Sequence, residues 1–201
     1  MTRQEALEIF ARYRGESPAI TGPSFGGRIL YTIDHRPATL YNMELGYPTA
    51  MFLGLAMCLP TERVFVIEGD GSMLAGLSVL TTIARYRPPN LVVIVIDNHA
   101  YVTTGGLPSA TANANGTDLV AMAKGAGIEK SFRAADPGAF EQCMKRSLAE
   151  DGPFFIVADV EKEDLASVGK SKAMPFDIVE SCVRFRRTLE DRGLVPPIWA
   201  V

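Results

Sequence analysis

Two short runs of apolar, mostly β-branched residues, each closing on a polar turn, constrain this chain more than any other feature. Val64-Phe-Val-Ile-Glu68 runs into Gly69-Asp70-Gly71-Ser72, and Leu91-Val-Val-Ile-Val-Ile96 runs into Asp97-Asn98-His99-Ala100-Tyr101. Unbroken apolar runs of this length, bounded by turn residues, read as strands buried on both faces, as in a parallel sheet between helices. Asp70 then stands just past one strand end and ahead of a helix, and Asn98 just past another. The two side chains meet across neighbouring strand ends. The glycines flanking Asp70 let the backbone turn sharply and approach an anion closely.

This pairing suits a hard cation carried on phosphate. Magnesium takes about six oxygen ligands in octahedral geometry, few of them from protein. The Asp70 carboxylate, the Asn98 amide oxygen and a loop carbonyl would supply part of that shell, and diphosphate oxygens and water the rest. A helix beginning near Ser72 would turn free N–H groups and its positive end toward the phosphates. A dinucleotide-binding turn is excluded, because Leu74 stands where the third glycine of that fingerprint belongs, and no phosphate-loop lysine follows Gly76.

The Gly69-Asp70-Gly71 and Asn98 pattern resembles the diphosphate-binding fingerprint of thiamine diphosphate (ThDP) enzymes, with Asp97 in place of the first Asn of the family's usual pair. A second block, Met43-Glu44-Leu45-Gly46-Tyr47-Pro48-Thr49-Ala50 leading into Met51–Met57, is similar to the segment by which the family grips the cofactor's rings. Pro48 falls one place earlier than in that pattern. The resemblance implies that Asp70, Asn98 and the Ala100 carbonyl hold Mg2+ and that Leu45 wedges between the pyrimidine and thiazolium rings. It also implies that the Leu45 N–H and the Met43 carbonyl bond the pyrimidine. Gly46, Gly69, Gly71, Ser72, Tyr101 and Thr103 complete the implied cofactor contacts. Within the family, the Asp34-His35-Arg36-Pro37 turn and Tyr101-Val-Thr-Thr-Gly-Gly106 resemble sulfopyruvate decarboxylase β subunits and the C-terminal halves of phosphonopyruvate decarboxylases, with Thr103 and Leu107 replacing Ser and Gln. The resemblance covers roughly residues 20 to 160.

Along the chain, helix and strand signals alternate: a helix near 2–14, a strand at Ala19–Thr21, a helix near 48–58, the Val64 strand, and a helix near 73–86 ended by Pro88-Pro89. After the Leu91 strand, the polar stretch 103–116 reads as an active-site loop, too irregular for helix or strand. Helices near 117–126 and 137–149 flank a strand near 128–133, and Phe154–Asp159 is a last core strand. The expected fold is α/β, a doubly wound and mostly parallel sheet with helices on both faces and the ligand at the strand ends. One domain is expected over 1–201, with 175–201 forming an amphipathic helix and an apolar tail that should pack on something.

The 201 residues are 47% hydrophobic with a net charge of −3 and scattered Lys and Arg. That balance gives no electrostatic footprint for nucleic acid or an anionic membrane. No run approaches a membrane span, and the N-terminus reads as an amphipathic helix rather than a signal sequence, so a cytoplasmic protein is expected. Cys58, Cys143 and Cys182 lie far apart, form no metal pattern and read as reduced thiols.

The histidines are His35 and His99. His35, in a polar turn, is the candidate catalytic proton donor or substrate contact, whereas a packing role suits His99 equally. ThDP chemistry needs a carboxylate against the pyrimidine, which in the family comes from a separate pyrimidine-binding domain, and Glu44 is not placed to replace it. The resemblance therefore implies a ThDP- and Mg2+-binding subunit of a 2-oxo-acid decarboxylase, completed by a partner subunit that carries the catalytic glutamate. A carboligase, a 2-oxo-acid oxidoreductase or a non-catalytic scaffold remain as alternatives; iron-sulfur chemistry is disfavoured by the lack of clustered cysteines.

Overall fold

The computed structural model describes residues 1–112, 115–162 and 173–197. In chain order the elements are α1 (Arg3–Arg14), β1 (Ala19–Thr21), α2 (Phe25–Asp34), β2 (Thr39–Leu40), α3 (Pro48–Cys58), β3 (Val64–Gly69), α4 (Asp70–Ala75), α5 (Val79–Tyr86) and β4 (Leu91–Asp97). There follow β5 (Ala100–Tyr101), a 3-10 turn (Val102–Thr104), β6 (Leu107–Pro108), α6 (Leu119–Ala126), β7 (Ser131–Ala134), α7 (Pro137–Ala149), β8 (Phe154–Asp159) and α8 (Ile178–Asp191).

Six strands form one sheet in the order β2-β1-β3-β4-β8-β7, and every pairing in it is parallel. Successive side chains of a strand point to opposite faces, and here both faces are dry. Val64, Val66, Val93, Val95 and Val157 pack with α3, α5, α6 and α8 on one side. Phe65, Ile67, Ile94, Ile156 and Ala158 pack with α1, α2 and α7 on the other. This double burial is why β3, β4 and β8 read as continuous apolar runs and not as alternation. The doubly wound α/β fold expected from sequence is the fold observed.

The winding reverses beside β1. The chain leaves β1 through α2 to reach the edge strand β2, then returns through α3 to β3 on the far side of β1. Right-handed crossovers in opposite directions put α2 and α3 on opposite faces, which opens a crevice above the C-terminal ends of β1 and β3. Asn90, buried at the start of β4, ties the far end of this unit: its Nδ2 lies 3.0, 2.8 and 2.7 Å from the carbonyls of Ala56, Leu59 and Glu62.

Several local readings need correction. The helix expected over 73–86 is two helices, α4 and α5, and the first begins at Asp70 with Gly69 as its N-cap. The break falls at Gly76, where an added Cβ would lie 2.4 Å from the Gly46 carbonyl oxygen; the close approach of another loop interrupts the helix. Helix α2 and strand β2 went unread, because Gly26-Gly27 lowers helix propensity and β2 has only two residues. The 103–116 stretch is partly regular, with β6 pairing antiparallel to β5. Expected boundaries elsewhere move inward to caps: Asp118 caps α6 and Asp177 caps α8. The apolar end Ile198–Val201 lies outside the described residues. No helix among the described residues is long and apolar enough to cross a membrane.

Candidate functional site

The crevice at the strand reversal holds a small cavity, about 50 Å³, lined by residues from five segments: Arg3 from α1, Ser24 after β1, Leu45 before α3, Gly69-Asp70-Gly71 at the end of β3, and Asn98 and Tyr101 after β4. Thr103 stands at its margin. The parallel register sets β3 beside β4, Gly69 opposite Ile96, so Asp70 and Asn98 are neighbours because their strands are.

Asp70 is 2% exposed. Burial pushes its carboxyl above the usual range; the Ser109 hydroxyl pulls it back, and the nearby Asp97 adds to the upward push. Thr111 Oγ1 lies 2.8 Å from Asp97 Oδ1 and 3.3 Å from Asp70 Oδ2, so one hydroxyl proton serves two carboxylates. A cation would relieve that concentration of negative charge.

The turn after β4 is shaped to present oxygens. Asp97 Oδ1 accepts the His99 N–H at 3.1 Å, and Asn98 Oδ1 accepts the Ala100 N–H at 3.2 Å, with His99 in the left-handed region at φ 58°. The β5–β6 hairpin uses the carbonyls of His99 and Tyr101, which accept from Ser109 N and Gly106 N. Alternation along a strand turns the Ala100 carbonyl to the other edge. His99 itself packs outward, with Nδ1 3.1 Å from the Thr111 carbonyl.

Asp97, which replaces an amide in the motif, is fully buried. Its Oδ2 lies 3.8 Å from Arg133 Nη1, and Arg133 also pairs with Asp159 and, at 3.6 Å, with Asp118. Asp97, His99 and Asp159 bring ligand atoms within 4.8 Å of one another. The Arg133 guanidinium reaches both of those carboxylates, one positive charge shared between two negative ones, which ties the cluster into an ion-pair network.

The Met43–Ala50 block is joined to the Gly69-Asp70-Gly71 turn by Ser72. Its hydroxyl accepts the Gly46 N–H at 3.0 Å. Gly46, at φ 81°, lies flush on Gly76, and the buried Glu68 accepts both the Thr49 N–H (2.7 Å) and hydroxyl (2.9 Å) at the start of α3. Burial pushes the Glu68 carboxyl up, against the pull of Thr49. The Met43 N–H donates to the Thr21 carbonyl at 2.9 Å. Leu45, held on this turn, is 50% exposed. Beyond it α3 shows Tyr47, Met51, Gly54 and Met57 to solvent, an apolar stripe at helical spacing with no charged residue.

Tyr101 covers the motif: an added Cβ on Gly71 would lie 2.2 Å from its ring. His35 is elsewhere. It lines a different cavity with Phe176 and Arg184, its Nδ1 is 3.0 Å from Tyr41 Oη, and its ring packs on Tyr31 at 4.7 Å. Burial first, then Arg184 and Arg14, pushes its pKa down. The structure brings Asp70, Asn98, Ala100, Leu45, Tyr101 and Thr103 together and leaves His35 out. It adds Arg3 and Ser24, which sequence reasoning missed. Ser24 had a signal, an N-cap residue after a Gly-Pro turn at a strand end; Arg3 had none, being distant in sequence.

This fold and its oxygen-lined crevice are those of a cofactor-binding domain at a sheet's reversal point, and the comparisons agree. Residues 30–158 match the family model described as thiamine pyrophosphate enzyme, C-terminal TPP binding domain, and the chain belongs to that family. It is 36% identical to the sulfopyruvate decarboxylase subunit beta of Methanothermobacter thermautotrophicus, covering 77% of this chain and 80% of that one. It is 32% identical to the phosphonopyruvate decarboxylase of Streptomyces hygroscopicus over 92% of this chain, but spans only 45% of that protein's length. Among solved structures, a 2-oxoglutarate:ferredoxin oxidoreductase from Magnetococcus marinus superposes with a TM-score of 0.68 at 18% identity, over 93% of this chain and 67% of that one; at that identity the fold alone is shared.

The residues present fit the family's cofactor. A buried carboxylate, an amide oxygen and a carbonyl turned away from its hairpin are the hard donors magnesium takes.

Proposed function

We propose that this chain is the ThDP- and Mg2+-binding subunit of a 2-oxo-acid decarboxylase of the sulfopyruvate or phosphonopyruvate type, completed by a separate pyrimidine-binding subunit. The observation that carries the reading is the buried pair Asp70 and Asn98, set side by side on adjacent strand ends with the Ala100 carbonyl. When bound, ThDP supplies the electron sink that lets carbon dioxide leave a 2-oxo acid. The protein's part is placement. Asp70, Asn98 and the Ala100 carbonyl would hold the metal and through it the diphosphate, while Leu45 would support the rings. The Ser72–Gly46 bond fixes the distance between those two grips. The Tyr101 ring lies where a Cβ on Gly71 would stand, so it covers the backbone that a diphosphate would approach.

Two features support a partner. The likeness to a subunit named beta covers most of both chains, and the exposed apolar stripe of α3 continues directly from Leu45. Calorimetric titration of ThDP with Mg2+ into the chain, alone and co-expressed with a candidate pyrimidine-binding subunit, tests the reading, followed by carbon dioxide release from sulfopyruvate and phosphonopyruvate. Binding and turnover with the partner, lost by more than about 100-fold in Asp70→Ala, are expected, since removing even the outer partners of metal ligands costs roughly 10- to 100-fold. Turnover undiminished in Asp70→Ala would refute it.

A further inference from the structure

A second cavity, about 270 Å³, lies against the edge strand β2 and shares no lining residue with the Asp70–Asn98 crevice. One wall is a face of α8, where Ser181, Arg184, Thr188 and Asp191 recur at three- and four-residue spacing with Arg187 beside them. Flat apolar groups make up the rest: His35 and Pro37 from the turn before β2, and Phe176 from the segment ahead of α8. The His35 and Phe176 rings lie 6.3 Å apart. Tyr31 backs both, at 4.7 Å from the first and 5.7 Å from the second.

The polar groups on the α8 wall are unequally engaged. Arg184 is held, paired with Glu180 at 2.6 Å and stacked on Phe176 at 4.9 Å, and the Thr188 hydroxyl donates to the Arg184 carbonyl at 2.9 Å. Ser181, 2% exposed, accepts the Tyr41 N–H at 3.0 Å, and among the described residues its own proton meets no acceptor. Arg187 makes no ion pair among the described residues. Behind Thr39, which also lines the cavity, Arg14 Nη1 donates to the Thr39 hydroxyl at 2.7 Å. Arg184 and Arg14 add to burial in pushing the His35 pKa down, so their charge is felt at the aromatic wall. Asp34 pulls the other way on His35 and is paired with Arg36 at 3.0 Å; among the described lining residues Asp191 is the carboxylate.

A half-enclosed cleft with an excess of positive charge and apolar walls concentrates anions, and an aromatic ring packed against Phe176 and His35 gains stacking beyond its buried area. A ligand with one of these features leaves the other wall unused. We propose that this cavity binds a small aromatic carboxylate, its ring against Phe176, His35 and Pro37 and its carboxylate accepting from Arg187 and the Ser181 hydroxyl. The volume sets the size, falling just short of the roughly 300–1,000 Å³ of drug-sized pockets, which suits a single ring and its acid group. The proposal is independent of the cofactor reading.

Backbone amide spectra of the full chain, recorded during titration with benzoate, benzyl alcohol and inorganic phosphate at constant pH and ionic strength, test it. Benzyl alcohol keeps the ring without the charge, and phosphate the charge without the ring. Saturable benzoate binding at millimolar concentrations is expected for so few atoms, with shifts in the 35–39 turn and α8. A lost charge-assisted hydrogen bond weakens binding by roughly 10-fold or more, the deficit expected for benzyl alcohol and for benzoate with Arg187→Gln. Phe176→Ala should weaken benzoate by about 3- to 10-fold and leave phosphate unchanged, while Asp191→Asn should tighten benzoate by removing a repelling charge. Arg187 and Asp191 are exposed, so their variants keep the comparison available should Phe176→Ala fail to fold. No saturable benzoate shift, shifts confined to residues away from the cavity, or full affinity in Arg187→Gln overturns the inference. So does phosphate or benzyl alcohol binding as tightly as benzoate, which would make the cavity a bare anion patch or an apolar hollow.

Discussion

At one end of the crevice, Asp70 and Asn98 are buried, stand on two central strands and are braced by Thr111, Asp97 and Arg133. At the other end Leu45 is half exposed on a glycine turn, and the apolar stripe beyond it faces solvent. The first end is a finished site, because its donors are positioned by a sheet whose both faces are packed. The second is half of a surface. An apolar residue at a ring-binding position gains nothing from water on its far side, and a helix apolar on both faces calls for cover on the second. Under the proposed function the contrast divides labour: the charged group would be gripped by the rigid core of this chain, and the rings by a seam that a second chain closes.

The largest effect expected from breaking that contrast lies on the seam. Met51→Glu places a charge in the α3 stripe, where it costs the free chain less than about 0.5 kcal/mol but leaves an unpaired charge in a closed interface. Co-purification and size-exclusion chromatography with the pyrimidine-binding subunit should show assembly lost and magnesium diphosphate binding by the single chain kept. Normal assembly would mean that this stripe is not the seam.

Gly76→Ala asks whether the two ends are mechanically joined. The new Cβ would meet the Gly46 carbonyl at 2.4 Å, and overpacking of this kind costs about 1–3 kcal/mol. Since each kcal/mol shifts Tm by roughly 2–4 °C at this size, calorimetric melting should fall by several degrees. Turnover should fall with it as Leu45 is displaced, while magnesium diphosphate affinity holds. Equal loss of both would show that the ends are a single unit.

The smallest effect is a pH dependence. Burial raises the Glu68 carboxyl above its ordinary value, so the folded chain keeps this proton to higher pH than the unfolded chain does. Stability contributed by the neutral form is thus present below the unfolded pKa and declines as pH rises from there toward the folded value. Glu68→Gln keeps an acceptor for Thr49 and removes the titration. Denaturant melts across that window should show the variant gaining on the wild type as pH rises; parallel curves would mean that Glu68 does not titrate there.

Much of the diphosphate end was legible in the residues. Val64–Gly69 and Leu91–Asp97 could be read because strands buried on both faces must be apolar throughout, and the turns that follow carry their chemistry in adjacent positions. Helix α2 was hidden by its two glycines. The split of α4 from α5 was hidden because its cause, the Gly46 carbonyl, lies thirty positions upstream. The bond from the Gly46 N–H to the Ser72 hydroxyl was hidden as well, since a hydroxyl's partner depends on what folds against it. His35 read as a rim residue by its polar turn, yet that turn leads into the edge strand β2 and delivers the ring to Tyr31 and Tyr41.

By itself the sequence determined the doubly wound sheet and the polar turns that close β3 and β4, because periodicity, glycine placement and the residues after a strand are local properties. Only the tertiary structure decided that Arg3 from the first helix enters the Asp70 cavity, that Ser72 bonds Gly46, and that Leu45 and the α3 stripe stay uncovered. Those are contacts between segments far apart in the chain, and they are set by strand order and by which helix face the core leaves unused.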